Sequence, residues 1–96
     1  MPAYVMASVY DVTDPAGFGE YRNLAGPSVA SFGGKFIAGS ETVEVMEGDW
    51  SPMAFLVIEF ESVEQAKRWY NSPEYQAVLP MRKNFTNSGL IMGAGR

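Results

Sequence analysis

"KFIAGSETVEVMEGDWSPMAFLVIEF", residues 35–60, places two extended stretches back to back with no helix between them. Residues 35–48 read as a strand, bent or bulged near Gly39-Ser40, whose second half alternates Val43 and Val45 against Thr42, Glu44 and Met46. Gly48-Asp49-Trp50-Ser51-Pro52 reads as a turn. Residues 53–60 give the returning strand, with Phe55, Val57 and Glu59 on one parity and Leu56, Ile58 and Phe60 on the other. The pair is therefore a hairpin, and both of its faces are apolar.

Helical patterns flank this hairpin, and a strand lies beyond each of them. "AYVMASVYDV", residues 3–12, alternates Val5, Ala7 and Val9 with Tyr4, Met6 and Tyr10. In residues 13–34, Asp14 suits an N-cap, Pro15 the first helical position and Gly33-Gly34 a C-cap; Phe18, Tyr21, Ala25, Val29 and Phe32 form the stripe. Gly26-Pro27 is expected to bend this helix. "ESVEQAKRWYNSPEYQAVLPMRKN", residues 61–84, reads as two helices. Ser62 with Gln65 makes a capping box for the first, and Ser72-Pro73 re-caps the second, which Pro80 is expected to kink or shorten. Residues 89–95, "GLIMGAG", close the series as a short strand.

The order β-α-β-β-α-β implies an α+β fold of ferredoxin-like type, with the helices on one face of a four-stranded antiparallel sheet. Ninety-six residues suffice for one such domain, residues 1–96. In that fold one sheet face is left open. Strands apolar on both parities would then expose a larger oily patch than monomers usually carry, so a homodimer with two sheets face to face, a dimeric α+β barrel, is expected.

Composition removes whole classes of chemistry. The chain has neither cysteine nor histidine, which excludes thiol nucleophiles, disulfides, Cys/His zinc sites, imidazole haem ligation and a Ser-His-Asp triad. No cofactor and no metal is expected: Glu41, Glu44, Glu47 and Asp49 are spread by strand alternation and read as a solvated edge. Seven basic against eleven acidic residues give a net charge of −4, which disfavours nucleic acid as a partner. No apolar run is long enough for a membrane span, and a cytoplasmic location is the default expectation.

The run "MPAYVM", "DPAGFGEY", "GGKFIAG", "EGDW", "IEFES" and "RWYNSPEY", followed by Arg82 and a terminal strand, resembles the bacterial domain-of-unknown-function family thirteen-thirty, of the dimeric α+β barrel superfamily. The resemblance covers nearly the whole chain. It implies the dimer but no reaction, because that family has no established activity. Relatives in the superfamily, among them cofactor-independent monooxygenases, muconolactone isomerases and haem-using enzymes, place ligands between sheet and helices; this is analogy at the level of fold.

Any catalytic group must come from carboxylates, tyrosines, lysines or arginines. Glu59 interrupts an apolar strand and is the candidate base; its plain alternative is a half-exposed or ion-paired structural residue. Arg82 has the geometry to hold a carboxylate, from Glu59 or from a ligand, or else is a helix-end charge. Tyr21 is the candidate donor, and Trp69, Tyr70 and Tyr75 are candidate ligand contacts, with ordinary core packing as the alternative. Trp50 is either an anchor for a partner or a turn aromatic folded back on its own strands. These residues point to binding of a small, largely apolar molecule between sheet and helices. Two alternatives stand beside it: cofactor-free catalysis on an aromatic or enolisable substrate, and a non-catalytic interaction dimer.

Overall fold

The structure, a computed structural model, describes residues 1–96. Its elements are β1 (Ala3–Val12), α1 (Pro15–Ser31), β2 (Lys35–Ser40), β3 (Ala54–Phe60), α2 (Val63–Tyr70), α3 (Pro73–Phe85) and β4 (Thr86–Ala94). The strands form one antiparallel sheet in the order β2-β3-β1-β4, the split βαβ arrangement of a ferredoxin-like fold.

Local chemistry sets the ends of the helices. Asp14 accepts a hydrogen bond from the Gly17 N–H at 3.0 Å, and Pro15 opens α1. At the other end the Gly34 N–H donates to Val29 O and the Gly33 N–H to Ala30 O, the paired bonds of a Schellman motif, with Gly33 at φ 78° where a side chain would be strained. Pro27 and Pro80 both lie inside continuous helices, so neither ends its element. Ser62 caps α2 by accepting from the Gln65 N–H, but the reciprocal half of the expected capping box is absent. The Gln65 side-chain amide instead donates to Phe32 O at 2.9 Å, tying α2 to the end of α1.

The second strand is shorter than its sequence pattern. It ends at Ser40, and residues 41–53 form an irregular connection in which Val45 and Met46 are exposed. Alternation alone did not hold residues 42–46 in the sheet, because β2 is an edge strand and this segment has no ladder partner. Conversely β4 starts at Thr86 rather than residue 89: Ser88 pairs with Val9, and Asn87 and Thr86 pair with Asp11 and Val12 past an irregularity between Val9 and Asp11. Trp50 folds back: its indole N–H donates to the Tyr10 hydroxyl at 2.7 Å.

Register assigns the faces. Val5 lies opposite Ile58 and Met92, toward the helices, and Ala3, Val5, Ile58 and Phe60 are buried there with Val29, Ala66, Trp69, Tyr75 and Leu79. Met6 lies opposite Val57 and Ile91 on the other face. No helix covers that face, and Ile91 is 67% exposed. No helix of the chain is long and apolar enough to cross a membrane.

Candidate functional site

The break between α2 and α3 is where the site begins. The Ser72 hydroxyl donates to Trp69 O, a carbonyl at the end of α2, and accepts from the Tyr75 N–H at the start of α3. One buried hydroxyl thus satisfies a terminal group of each helix, and Pro73 needs no donor at its position. The chain can then turn sharply enough to bring the Trp69 and Tyr75 rings to 4.3 Å between centroids, tilted by 40°. Both rings are buried, and Phe60 packs on Trp69 from the sheet side at 5.4 Å.

This aromatic wall forms one side of a cavity of about 640 Å³ between α1 and the helix-facing side of the sheet. Its walls are predominantly apolar. Ala7, Leu56, Ile58 and Leu90 supply the sheet side; Phe18, Ala25 and Val29 supply α1. On α1 the Phe18 and Tyr21 rings are stacked at 5.9 Å, and the Arg22 guanidinium lies 5.1 Å above the Phe18 ring. Arg22 also reaches Glu41 at 3.6 Å, an exposed pair at the cavity rim that adds little to stability.

Three polar groups stand among these walls. The Tyr21 and Tyr75 hydroxyls are hydrogen-bonded to each other at 2.9 Å. Burial, followed by the charge and hydrogen bond of Tyr75, raises the Tyr21 pKa far above 10.0, while Arg82 pulls it down by a smaller amount; Tyr21 is a neutral phenol at any ordinary pH. The Trp69 indole N–H is satisfied by Ser28 at 3.1 Å, and Ser28 in turn donates to Ala25 O. Ser28 is a residue the pattern did not single out; its signal was a small polar residue on the buried stripe of α1, one position before Val29.

Arg82 is the third group, and it is unusual. It is 7% exposed, has no carboxylate partner, and its Nε is buried without an acceptor. One guanidinium nitrogen donates to the Ser88 hydroxyl at 2.9 Å. Thr86 donates its single hydroxyl proton to Arg82 O, so in the 2.8 Å contact between Ser88 and Thr86 the proton comes from Ser88. This small ring fixes the end of α3 against β4 and leaves most of the guanidinium donors unspent.

Of the sequence candidates, the structure brings Tyr21, Trp69, Tyr75 and Arg82 to one cavity. Glu59 is not among them. It sits opposite Tyr4 and Lys35 on the sheet face that the helices do not cover, alternating with the buried Ile58 and Phe60, and borders a separate depression with Met1, Pro2 and Lys35. Its role as a base paired with Arg82 is thereby removed, since a sheet lies between them. Tyr4 beside it has a raised pKa, from desolvation first and then from the Glu59 carboxylate. Tyr70 does not reach the cavity either. One residue beyond Trp69 on α2, it is turned away and packs behind the wall, 5.6 Å from Tyr75 and 6.3 Å from Trp69. No cluster of three or more His, Cys, Asp or Glu side chains that could hold a metal ion is present.

Solved structures share this fold at low identity. A protein of unknown function from Rhodopseudomonas palustris is 19% identical, with 95% of this chain and 79% of that one covered and a TM-score of 0.78. SnoaB, a cofactor-independent oxygenase from Streptomyces nogalater, is 13% identical, with 99% and 93% covered and a TM-score of 0.71. A dimeric ferredoxin-like protein of unknown function from Thermobifida fusca is 9% identical, with 98% and 91% covered and a TM-score of 0.65. No curated protein matches the chain. Residues 2–95 match the family described as "Domain of unknown function (DUF1330)".

Proposed function

We propose that the chain, which belongs to the DUF1330 family, is a homodimeric binder of a small, largely apolar molecule held between its sheet and its helices. The observation that carries this reading is the cavity itself. About 640 Å³ of space lined by apolar side chains, with a few convergent polar tips, has the size and make-up of a small-molecule site. A protein whose only role was assembly would have no reason to keep such a space open in a domain this small, where unfilled volume lowers stability. The dimer is supported by the uncovered face around Met6, Val57 and Ile91, and by the dimeric description of the Thermobifida fusca relative.

A second reading, cofactor-free catalysis on an aromatic or enolisable substrate, draws support from Tyr21 and Tyr75 standing near a buried guanidinium, and from fold likeness to an oxygenase of that kind. Arg82 would hold an oxyanion and Tyr21 would donate to it. Against it, Glu41 is the sole carboxylate along the cavity, and it is exposed at the rim and paired with Arg22. Proton abstraction therefore has no buried carboxylate base, which favours binding.

The test is a fluorescence titration with the neutral apolar probe N-phenyl-1-naphthylamine, alongside Ala7→Leu, which adds bulk to the sheet wall. The wild type should bind the probe and the variant should bind it several-fold more weakly. Absence of binding, or binding indifferent to filling, would overturn the reading. Oxygen uptake on adding 1-naphthol would favour the catalytic alternative.

A further inference from the structure

We propose that the molecule bound in this cavity is a carboxylate, an apolar body with one planar anionic head, and that Arg82 is its receptor with the Tyr21–Tyr75 hydroxyl pair alongside. The inference rests on the open-cavity reading above and names the ligand's chemical class.

The argument starts from an imbalance of charge. Arginine stays protonated inside a protein, and a buried cation is ordinarily matched by a carboxylate. Arg82 is 93% buried by its 7% exposure, yet the one ion pair in the chain is Arg22 with Glu41 at the rim. Nothing in the fold neutralises Arg82. Its partners are one serine hydroxyl, and its Nε has no acceptor at all. Uncompensated charge of this kind is costly to fold and is retained where a bound group supplies the compensation.

The shape of the site selects the anion. A guanidinium presents parallel N–H donors in a rigid fork that matches the two oxygens of a carboxylate. The Ser88–Thr86 ring fixes one arm of that fork and so orients the rest, since Ser88 itself lines the cavity. The two tyrosine hydroxyls share one hydrogen bond between them, so one O–H proton of the pair is left to donate. The neutral Tyr21 phenol, its Tyr75 hydroxyl partner and the Arg82 cation make a site rich in donors, with the exposed Glu41 confined to the rim. The remaining walls, Leu56, Ile58, Leu90, Phe18 and the Trp69 ring, accept an apolar body of about two fused aromatic rings or a short alkyl chain.

The experiment compares 2-naphthoate with 2-naphthamide, its neutral isostere, by calorimetric titration of the wild type, Arg82→Met and Tyr21→Phe. For the wild type, naphthoate should bind at least about tenfold more tightly than naphthamide, the size expected of hydrogen bonds to a charged group. Arg82→Met should erase that preference while still binding naphthamide, and Tyr21→Phe should reduce it by a smaller factor. Equal affinity of the wild type for both probes overturns the carboxylate assignment and leaves the cavity reading standing. Failure of both probes to bind overturns both. The wild-type comparison needs no variant, so the outcome does not depend on whether Arg82→Met folds.

Discussion

Replacing Arg82 by methionine separates a residue kept for a ligand from one kept for the fold. Methionine has a similar length and fills irregular apolar space well. The substitution removes the Arg82–Ser88 hydrogen bond, worth about 1.5–3 kcal/mol for a charged donor. Ser88 keeps its bond to Thr86, so no new orphan is created on β4. In return the chain no longer buries a cation without a counter-charge, a penalty of several kcal/mol even after relaxation, and it loses the orphaned Nε. The sum lies between no change and a gain of about 3 kcal/mol, and for a domain of this length each kcal/mol moves the midpoint by about 4–8 °C. Urea denaturation at fixed protomer concentration reads it, provided the m-value is unchanged. A loss of more than about 2 kcal/mol would show that Arg82 is a structural residue whose partners are already complete, and the case for a ligand anion would fail with it.

Three further outcomes follow from the packing of the sheet and helices. Val57→Lys places a charge opposite Met6 on the uncovered sheet face and should convert a dimer into a monomer in sedimentation equilibrium; a dimer that persists would locate the interface elsewhere. Gly34→Ala should lower stability by about 1–3 kcal/mol in urea titration, because its Cβ would sit 2.5 Å from Val29 Cγ1 and 2.8 Å from the Phe60 ring, both locked in the core. Tyr21 has a folded-state pKa raised above 10.0, so the unfolded chain gives up this proton first. The stability tied to Tyr21 is therefore complete below pH 10 and is lost as pH rises above it, by about 1.4 kcal/mol per unit. The difference between wild type and Tyr21→Phe in denaturation midpoint should narrow or reverse in that range; a constant difference would mean Tyr21 is not held neutral.

The element order was legible because its punctuation is local. Asp14-Pro15, Gly33-Gly34, Ser62 and Ser72-Pro73 act through bonds to backbone three to five residues away, and each caps its helix where the sequence places the end. Two features that depend on distant partners were not legible. Residues 42–46 alternate as a strand should, but alternation states only that a segment could serve a sheet edge, and β3 leaves β2 at Ser40. Gln65 had the spacing of a capping box, yet Phe32 O, thirty-three residues away, offered its amide a better acceptor.

Glu59 shows why the site was harder to read than the fold. A charged residue inside an apolar strand is conspicuous only if the other positions of its parity are buried, and here both parities are apolar: one faces the helices, the other the uncovered side. Parity could not say which was which. What distinguishes them is pairing, since Glu59 stands opposite Lys35 and Tyr4 whereas Ile58 stands opposite Phe36 and Val5. Arg82 posed the converse problem. Its position near a helix end made a plain dipole contact sufficient to explain it, and only its burial without an acid shows that explanation to be incomplete. A dipole favours a cation at a helix C-terminus by a fraction of what burial costs it. The residue is therefore in deficit unless something anionic enters from the one side left open to it, the cavity between the Trp69–Tyr75 wall and the sheet.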